Sequence, residues 1–309
     1  MSEWRDKELF AGRMTMIVSL KNEDLTVKIN QIGAELISVK NSHQLEYIWE
    51  ANPNYWKRHA PILFPMVGRL KNDEYNYDGK IYTMYQHGFA RDSKFEIIDS
   101  NDTKVIFLLK SNSKTMKIYP FRFELFVTYI LVGDTLQIQM LVKNQDEHFM
   151  YFSIGAHPGF KVPINPDEES YSDYELVVKP EKNYSLIELN KNGLTTSNQS
   201  KFSIDGNPIK ISHELFRDDA RIFDVEANKQ TTFTLKSKKS HHGVSLTAYK
   251  NKYFGVWSTY PTKSEFVCIE PWWGIADSEN STGFIRNKND ISRLCCGEEF
   301  VANFDITFF

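Results

Sequence analysis

The sequence has no long hydrophobic run, and none approaches the roughly 20 apolar residues that cross a bilayer. It also lacks an excess of charge of one sign, because 37 basic and 40 acidic residues leave a formal charge of −3. A protein without a basic field does not attract the phosphates of nucleic acid or an anionic membrane surface. The composition therefore predicts a partner that is neither a nucleic acid nor a membrane.

Cysteine is scarce, since the 309 residues include only Cys268, Cys295 and Cys296. An odd number with two adjacent members does not predict a disulfide framework, and a reducing cytoplasm is the simplest location. Residues 1–15 lack the apolar segment of a secretory signal. They are predicted to be a leader or an added segment, because the β pattern begins only near Met16.

Several motifs of enzyme chemistry are absent as well. The chain has no glycine-rich phosphate loop, no Cys/His cluster with metal-ligand spacing and no G-x-S-x-G sequence. We therefore expect neither a cofactor nor a metal ion.

Alternation with a period of two residues dominates what is present. In Phe121–Tyr129 and again in Thr135–Lys143, apolar side chains occupy one face and mostly polar ones the other. Gly133 and Asp134 between these runs are typical hairpin residues. Many such short strands predict an all-β fold, a large sandwich or barrel, as one domain over residues 16–309.

The remaining predicted elements follow the same reasoning. Further strands are expected at Leu25–Ile29, Glu35–Val39, Lys94–Ile98, Val105–Lys110, Glu175–Val178, Thr231–Leu235, Gly243–Tyr249, Phe254–Ser258, Phe266–Ile269 and Phe300–Thr307, with a hairpin at Tyr75–Met84. A short helix is expected at Ser212–Arg217, and the polar stretch Asn190–Ser203 is expected to be a loop.

Two histidines lie in short glycine-bearing loops, His87 in QHGFARD and His157 in GAHPGF. Loops carry catalytic groups more often than strand interiors do, and histidine exchanges protons near neutral pH. A single histidine in such a loop is more often a structural hydrogen-bonding group, and the presence of two similar loops favours the catalytic interpretation. A third segment, PILFPMVGRL, ends an apolar run near the cation Arg69, which could instead be an exposed edge residue.

Glu270 ends an apolar strand and is followed by Pro271, Trp272, Trp273 and Gly274. Apolar surroundings raise the pKa of a carboxyl group toward a value useful for a general base. Tryptophan offers a flat face to the C–H side of a pyranose. A strand-end glutamate beside core tryptophans is the alternative. A pair of carboxylates would suggest a glycosidase, but one glutamate with two histidines and an arginine suits proton transfer on a neutral polyol.

These four motifs, FPMVGRL, QHGFARD, GAHPGF and CIEPWWGIAD, resemble those of the aldose 1-epimerase (galactose mutarotase) superfamily, and most closely its LacX-like branch. The resemblance extends over roughly residues 16–309. It implies a galactose-mutarotase-like β-supersandwich, interconversion of the α and β anomers of an aldose such as galactose, and no cofactor or metal in the chemistry.

The resemblance also implies roles for individual residues. His157 matches the general acid at the ring oxygen, and Glu270 matches the general base at the anomeric hydroxyl. His87 and Arg69 match residues that hold the sugar. An aspartate between His157 and Glu270 contacts sugar hydroxyls in the family; Asp219 is the best match, with Asp218 and Asp224 as rivals.

Two alternatives to a free-sugar mutarotase remain open. The HGFAR sequence also resembles hexose-6-phosphate mutarotases, in which Arg91, with Arg58 nearby, would bind the phosphate; pairing of Arg91 with Asp92 is the competing reading. A sugar-binding protein without turnover is the other alternative. The substrate is expected to be a small sugar, and the protein a monomer or homodimer.

Overall fold

The computed structural model describes residues 15–227 and 230–309. Residues 1–14 of the predicted leader lie outside the described residues, so its role stays a prediction.

Strands dominate the described residues. The strands are β1 Ile17–Lys21, β2 Leu25–Asn30, β3 Glu35–Asn41, β4 Ile62–Leu63, β5 Glu74–Tyr77, β6 Lys80–Thr83, β7 Glu96–Ser100, β8 Lys104–Lys110, β9 Phe123–Val132, β10 Thr135–Asn144, β11 Met150–Phe152, β12 Ile154–Ala156, β13 Gly159–Lys161, β14 Tyr174–Lys179, β15 Asn183–Leu189, β16 Thr195–Ser203, β17 Ile209–Lys210, β18 Arg221–Asp224, β19 Thr231–Ser237, β20 Gly243–Tyr249, β21 Tyr253–Trp257, β22 Phe266–Trp273, β23 Ser292–Leu294 and β24 Glu299–Phe308. The helices are short 3₁₀ turns at Lys71–Asp73, Ala90–Asp92, Thr115–Lys117, Tyr171–Asp173, His213–Phe216 and Ile285–Asn287.

A nine-stranded antiparallel sheet forms one layer, in the order β17-β14-β19-β20-β24-β10-β9-β8-β7. In β9 the odd-numbered residues from Phe123 to Leu131 are buried and the even-numbered ones are partly exposed. This is the alternation expected of a strand with one face on the core. The hairpin of β9 and β10 pairs Val132 with Thr135 across the predicted turn.

An eight-stranded sheet packs against the first, with strands β16-β15-β18-β21-β22-β12-β4 in order and β13 also paired to β22. Phe233 of β19 stacks on Phe254 of β21 with ring centroids 4.3 Å apart, which joins the two layers. Smaller sheets, β1-β2-β3, β5-β6 and β11-β23, complete the fold. The predicted all-β sandwich is confirmed.

The central strand β22 is buried on both faces along its whole length. Val267 and Ile269 point into the core between the sheets, whereas Cys268 and Trp272 belong to separate clusters on the other face. The sequence of a strand that is covered on both sides is a nearly continuous run of apolar residues. Its second face is where the candidate site lies.

Two expectations about individual elements are corrected. The predicted loop Asn190–Ser203 contains β16, an edge strand whose side chains are mostly exposed on both faces. Such a strand shows no alternation because neither face meets the core. The predicted helix Ser212–Arg217 is only a 3₁₀ turn at His213–Phe216.

Within residues 15–227 and 230–309, no helix combines the length and apolar character needed to cross a membrane.

Candidate active site

Glu270 lies on the second face of β22 and is 1% exposed. Opposite it on β21 is Gly255, and a Cβ there would come within 2.8 Å of the Trp272 indole. The glycine therefore lets the Trp272 ring lie across the neighbouring strand beside the carboxylate. The pKa of Glu270 is raised well above its ordinary value, first by burial and then by the charge of Asp219.

His157 follows β12 and meets Glu270 directly. Its Nε2 lies 3.1 Å from Glu270 Oε2, although the two are not aligned as a hydrogen bond, and Oε2 has no other protein partner. The imidazole stacks on Trp56 at 4.8 Å and meets the edge of Trp257 at 5.7 Å. Burial is the main cause that lowers the pKa of His157 to about 3, and the positive charge of Arg91 adds to it.

His87 is locked against the VGRL segment by two hydrogen bonds. Its backbone N–H donates to the Gly68 carbonyl at 2.9 Å, and the Gly68 N–H donates to His87 Nδ1 at 3.2 Å. An accepting Nδ1 places the ring proton on Nε2 in the neutral tautomer. Burial, with the neighbouring His157, lowers the pKa of His87 well below its ordinary value. The ring centroids of the two histidines are 5.6 Å apart.

Asp219 is the one of the three candidate aspartates that lines the same cavity as His157 and Glu270. It has φ of 72°, a left-handed conformation that is uncommon outside glycine and is often found at functional sites. Asp218 lines a different cavity. Asp224 ends β18 and accepts a hydrogen bond from the backbone N–H of Glu226.

The cavity has a volume of about 340 Å³, which is within the range of small-ligand sites. Six predicted residues line it: His87, Arg91, His157, Asp219, Glu270 and Trp272. Buried polar atoms without a protein partner concentrate here, namely Glu270 Oε2, His157 Nδ1, Trp272 Nε1 and Arg91 Nε. Buried polar groups are normally paired, so this concentration indicates a site for a polar ligand.

Two of the predicted arginines lie elsewhere. Arg69 lines an adjoining cavity, with its side chain 42% exposed and one guanidinium nitrogen 3.8 Å from Asp73. Arg58 pairs with Asp92 at 2.8 Å. The closest contact of Arg91 is the Gln86 carbonyl at 2.6 Å, and its Nε is 3.8 Å from Asp92.

The fold also assembles a group that the sequence spacing does not show. Within the described residues, ligand atoms of His157, Cys268 and Glu270 lie within 4.8 Å of one another. Ligand spacing along the sequence does not reveal this group, because strand pairing joins residues that are distant in sequence. Burial, with the nearby Glu270, raises the pKa of the Cys268 thiol well above its ordinary value. Metals bind the thiolate, so this trio suits a metal ion poorly.

Sequence reasoning missed three contributors to the site. Trp56 and Trp257 line the cavity but stand outside the four motifs. Asp277 ends the CIEPWWGIAD motif and forms a buried ion pair with Lys288 at 3.2 Å. It also accepts a hydrogen bond from the Lys71 N–H and donates its own N–H to the Arg69 carbonyl.

Asp277 also holds the loop that leads into β16. The Asp277 carbonyl accepts a hydrogen bond from the backbone N–H of Thr195 at 2.8 Å. Asp277 thus fastens the Arg69 segment and the 190–195 loop to the end of β22. An aspartate that directly follows the apolar end of a conspicuous motif is the sequence signal that could have indicated this role.

The comparisons with known proteins agree on one family. The family model described as Aldose 1-epimerase matches residues 16–280. The chain is 33% identical to the chromosomal protein LacX of Lactococcus lactis subsp. lactis over 300 residues, 94% of this chain and 99% of the relative.

Solved structures show the same relationship. A galactose mutarotase related enzyme from Lactobacillus acidophilus superposes with a TM-score of 0.92 at 38% identity, covering 95% of this chain and 97% of that one. A galactose mutarotase-like protein from Lactobacillus casei superposes with a TM-score of 0.87 at 30% identity, covering 95% of this chain and 100% of that one. The chain belongs to the aldose 1-epimerase family.

Proposed function

We propose that this protein is a mutarotase that interconverts the α and β anomers of a hexose by ring opening and reclosure. The observation that carries the proposal is the contact of His157 Nε2 with Glu270 Oε2 at 3.1 Å inside a cavity rich in unpaired polar atoms. One group that gives a proton and one that accepts it, close together and shielded from water, is the minimum that mutarotation requires.

In the proposed reaction, Glu270 takes the proton of O1 while His157 gives a proton to O5, and the C1–O5 bond breaks. The aldehyde carbon rotates and the ring closes on its other face, with both protons returned. Before ring opening, His157 carries a proton and Glu270 does not. After ring opening, Glu270 carries a proton and His157 does not. Burial favours this second arrangement, since it raises the pKa of Glu270 and lowers that of His157. Hydrogen bonds from sugar hydroxyls favour the charged arrangement that starts the cycle.

The other residues of the cavity hold the sugar. His87, with its proton on Nε2, donates to a hydroxyl or to the ring oxygen, and Asp219 accepts from hydroxyls. Trp272 lies beside the carboxylate and offers a face to the apolar side of the pyranose. Each proton transfer contributes about 10²–10⁴-fold to the rate, and orientation supplies much of the rest. The proposal includes a cytoplasmic location, a place in carbohydrate metabolism and no cofactor.

The test is anomer exchange followed by NMR or polarimetry for galactose, glucose and other free aldoses. Exchange faster than the uncatalysed rate with at least one aldose supports the proposal. Sugar binding without faster exchange would instead establish a non-catalytic sugar-binding protein.

A hexose-6-phosphate mutarotase is the second candidate, and Arg91 is the observation that favours it. Arg91 lines the cavity, and its buried Nε has no hydrogen-bond partner. Arg58 already binds Asp92, at 2.8 Å. A charge-assisted contact of Arg91 with phosphate is worth about 1.5–3 kcal/mol, roughly 10- to 150-fold in affinity.

If the substrate is a hexose 6-phosphate, Arg91→Ala raises KM for glucose 6-phosphate by roughly 10- to 150-fold. The same variant leaves KM for free glucose nearly unchanged. If the free-sugar reading is right, the parent enzyme shows no preference for the phosphorylated sugar. We favour the free-sugar reading, because Gln86 and Asp92 already occupy the guanidinium of Arg91.

A further inference from the structure

The nine-stranded sheet has one face on the core and another that points outward. On its adjacent strands β8, β9, β10 and β24, most side chains of the outward face are partly exposed. We call this surface the outer face. The pairing of the four strands aligns its side chains in rows that cross all of them. A partner that lies on the outer face therefore meets ordered rows of side chains.

The first row is apolar. It consists of Leu108, Phe126, Leu141 and Val301, one from each strand in the order β8, β9, β10 and β24. Val301 is 46% exposed, Phe126 and Leu141 are half-buried, and Leu108 is already covered. The outward face of an antiparallel sheet is usually polar, so contiguous apolar side chains here indicate a contact surface.

The second row is charged, and its signs alternate. It consists of Lys110, Glu124, Lys143 and Glu299 in the same strand order. Lys110 lies 3.5 Å from Glu124, and Lys143 lies 2.6 Å from Glu299. The row therefore has a cation at its β8 end and a carboxylate at its β24 end.

The third row carries charge only at its ends. These ends are Lys104 on β8 and Asp305 on β24, with Ile130 and Gln137 between them. The second and third rows together contain all six charged residues of the four strands. Because three are cations and three are carboxylates, the outer face has no net charge and does not favour a strongly charged partner.

A second copy of this chain complements these charges. A twofold axis that lies in the interface, parallel to the strands and between β9 and β10, reverses each row and lays it on the same row of the other copy. Glu124 then faces Lys143 of the partner subunit, and Lys104 faces Asp305 of the partner subunit. The ends of the second row match in the same way, so all six charges meet an opposite charge.

The apolar rows meet about the same axis. Phe126 faces Leu141 of the partner subunit, and both lie next to the axis. Packed sheets cross at about 30°, so the rows match best near the axis. The contacts at this position are the central apolar pair and the central pair of charges, Glu124 with Lys143 of the partner subunit.

The outer face is also large enough for a stable contact. With the flanking strands β7 and β20, it is about 29 Å wide and up to about 34 Å long. Stable interfaces bury about 800 Å² on each partner. A sheet surface of these dimensions reaches that size.

We propose that the outer face joins two copies of this chain in a twofold homodimer. The apolar row supplies affinity, and the charged rows fix the orientation by excluding arrangements in which like charges meet. The active-site cleft, which comprises the cavity of His157 and Glu270 and the adjoining cavity of Arg69, lies on the outward face of the other sheet. Both clefts stay open in the dimer, so this inference does not rest on the proposed function.

Sedimentation velocity of the full chain tests the proposal. We expect the parent to be a dimer at about 100 μM, a concentration at which an interface of this size is occupied. Glu124→Lys and Lys143→Glu each place like charges in contact at two symmetric positions. Each variant should therefore raise Kd for dimerisation at least about 10-fold.

An equimolar mixture of the two variants provides the decisive measurement. Lys introduced at 124 in one chain faces Glu introduced at 143 in the other, and every other charge again meets an opposite one. The mixture should therefore form a heterodimer with a Kd near the parental value. The double variant, Glu124→Lys with Lys143→Glu, restores the same match within one sequence and should also dimerise like the parent.

Lys236→Glu is the matched control. It reverses a partly exposed lysine that pairs with Glu175 at 3.4 Å, but on β19, outside the outer face, so its Kd should equal that of the parent. A parent that stays monomeric at about 100 μM, or a dimer that survives either charge reversal, would overturn the inference. So would a mixture and a double variant that both stay monomeric while circular dichroism shows them folded.

Discussion

Glu270 is a carboxyl group at 1% exposure, a position that lowers stability and that packing alone does not require. Charged groups are rarely buried without a partner, and the side chain nearest to Glu270 Oε2, that of His157, has a pKa lowered to about 3. Burial raises the pKa of Glu270 and lowers that of His157, so it favours the uncharged form of both groups. This arrangement suits proton transfer and not structural support.

Removing either member of the pair should abolish the chemistry and leave the fold intact. We expect Glu270→Gln and His157→Asn each to lower kcat for anomer exchange by at least about 10²-fold. NMR exchange measures the rate, and circular dichroism checks the fold. Glu265→Gln is the control, since Glu265 is exposed just before β22. A near-parental kcat in either site variant would show that its assigned role is wrong.

Burial of Glu270 also predicts how stability depends on pH. A carboxyl whose folded pKa is raised stabilises the folded state fully below its unfolded value of 4.5 and loses that contribution as pH rises through the folded pKa. Glutamine has no proton to lose. Glu270→Gln should therefore unfold at higher urea concentration than the parent, and by a margin that grows with pH.

The margin should grow by up to about 1.4 kcal/mol per pH unit above 4.5. Urea unfolding at pH 5 and pH 8 measures it, with Glu265→Gln as the control that shows no such growth. A margin independent of pH would mean that Glu270 is ionised in the folded protein.

At the scale of elements, the two walls of the cleft depend on one buried ion pair. Asp277 and Lys288 are 4% and 2% exposed in their side chains, and Lys288 also donates to the Ile275 carbonyl at 2.5 Å. Asp277 in turn holds the Arg69 and Thr195 backbones. The position of both segments is therefore coupled to a pair of charges outside the cavity.

Lys288→Met should leave Asp277 as an unpaired buried charge, which costs about 3–5 kcal/mol. We expect the free energy of unfolding, measured with urea, to fall by that amount. We also expect KM to rise by a larger factor than kcat falls, because the walls of the cleft move and the acid–base pair does not. Lys252→Met is the matched control: its pair with Asp290 is partly exposed, so its loss costs about 0–1 kcal/mol. Equal effects of the two variants would contradict the assigned role.

The strands themselves differ in how well the sequence predicts them. In β9 and β10 one face is buried and the other is not, so the period of two is visible in the residues. In β16 both faces are mostly exposed, and its polar residues resemble a loop. Pairing with β15 defines that strand, and a ladder of backbone hydrogen bonds leaves no trace in side-chain composition.

At the scale of the whole molecule, the fold brings His157, Cys268 and Glu270 together from separate segments. Because burial raises the pKa of both the Cys268 thiol and the Glu270 carboxyl, and metals bind the deprotonated forms of these ligands, we expect the activity to need no metal. Anomer exchange should survive dialysis against EDTA. A loss of activity that one divalent ion restores would identify the trio as a metal site.

The sequence by itself determined the all-β class and the motifs that carry the family resemblance, because alternation and short loop motifs are local properties. It also indicated His157 and Glu270, since a histidine in a glycine loop and a glutamate among tryptophans are conspicuous in the chain. The tertiary structure decided which aspartate lines the cavity, that Arg69 faces the adjoining space, and that Trp56 and Trp257 enclose His157. These facts depend on how distant strands pair and which face each presents, and contacts of that kind have no local signature.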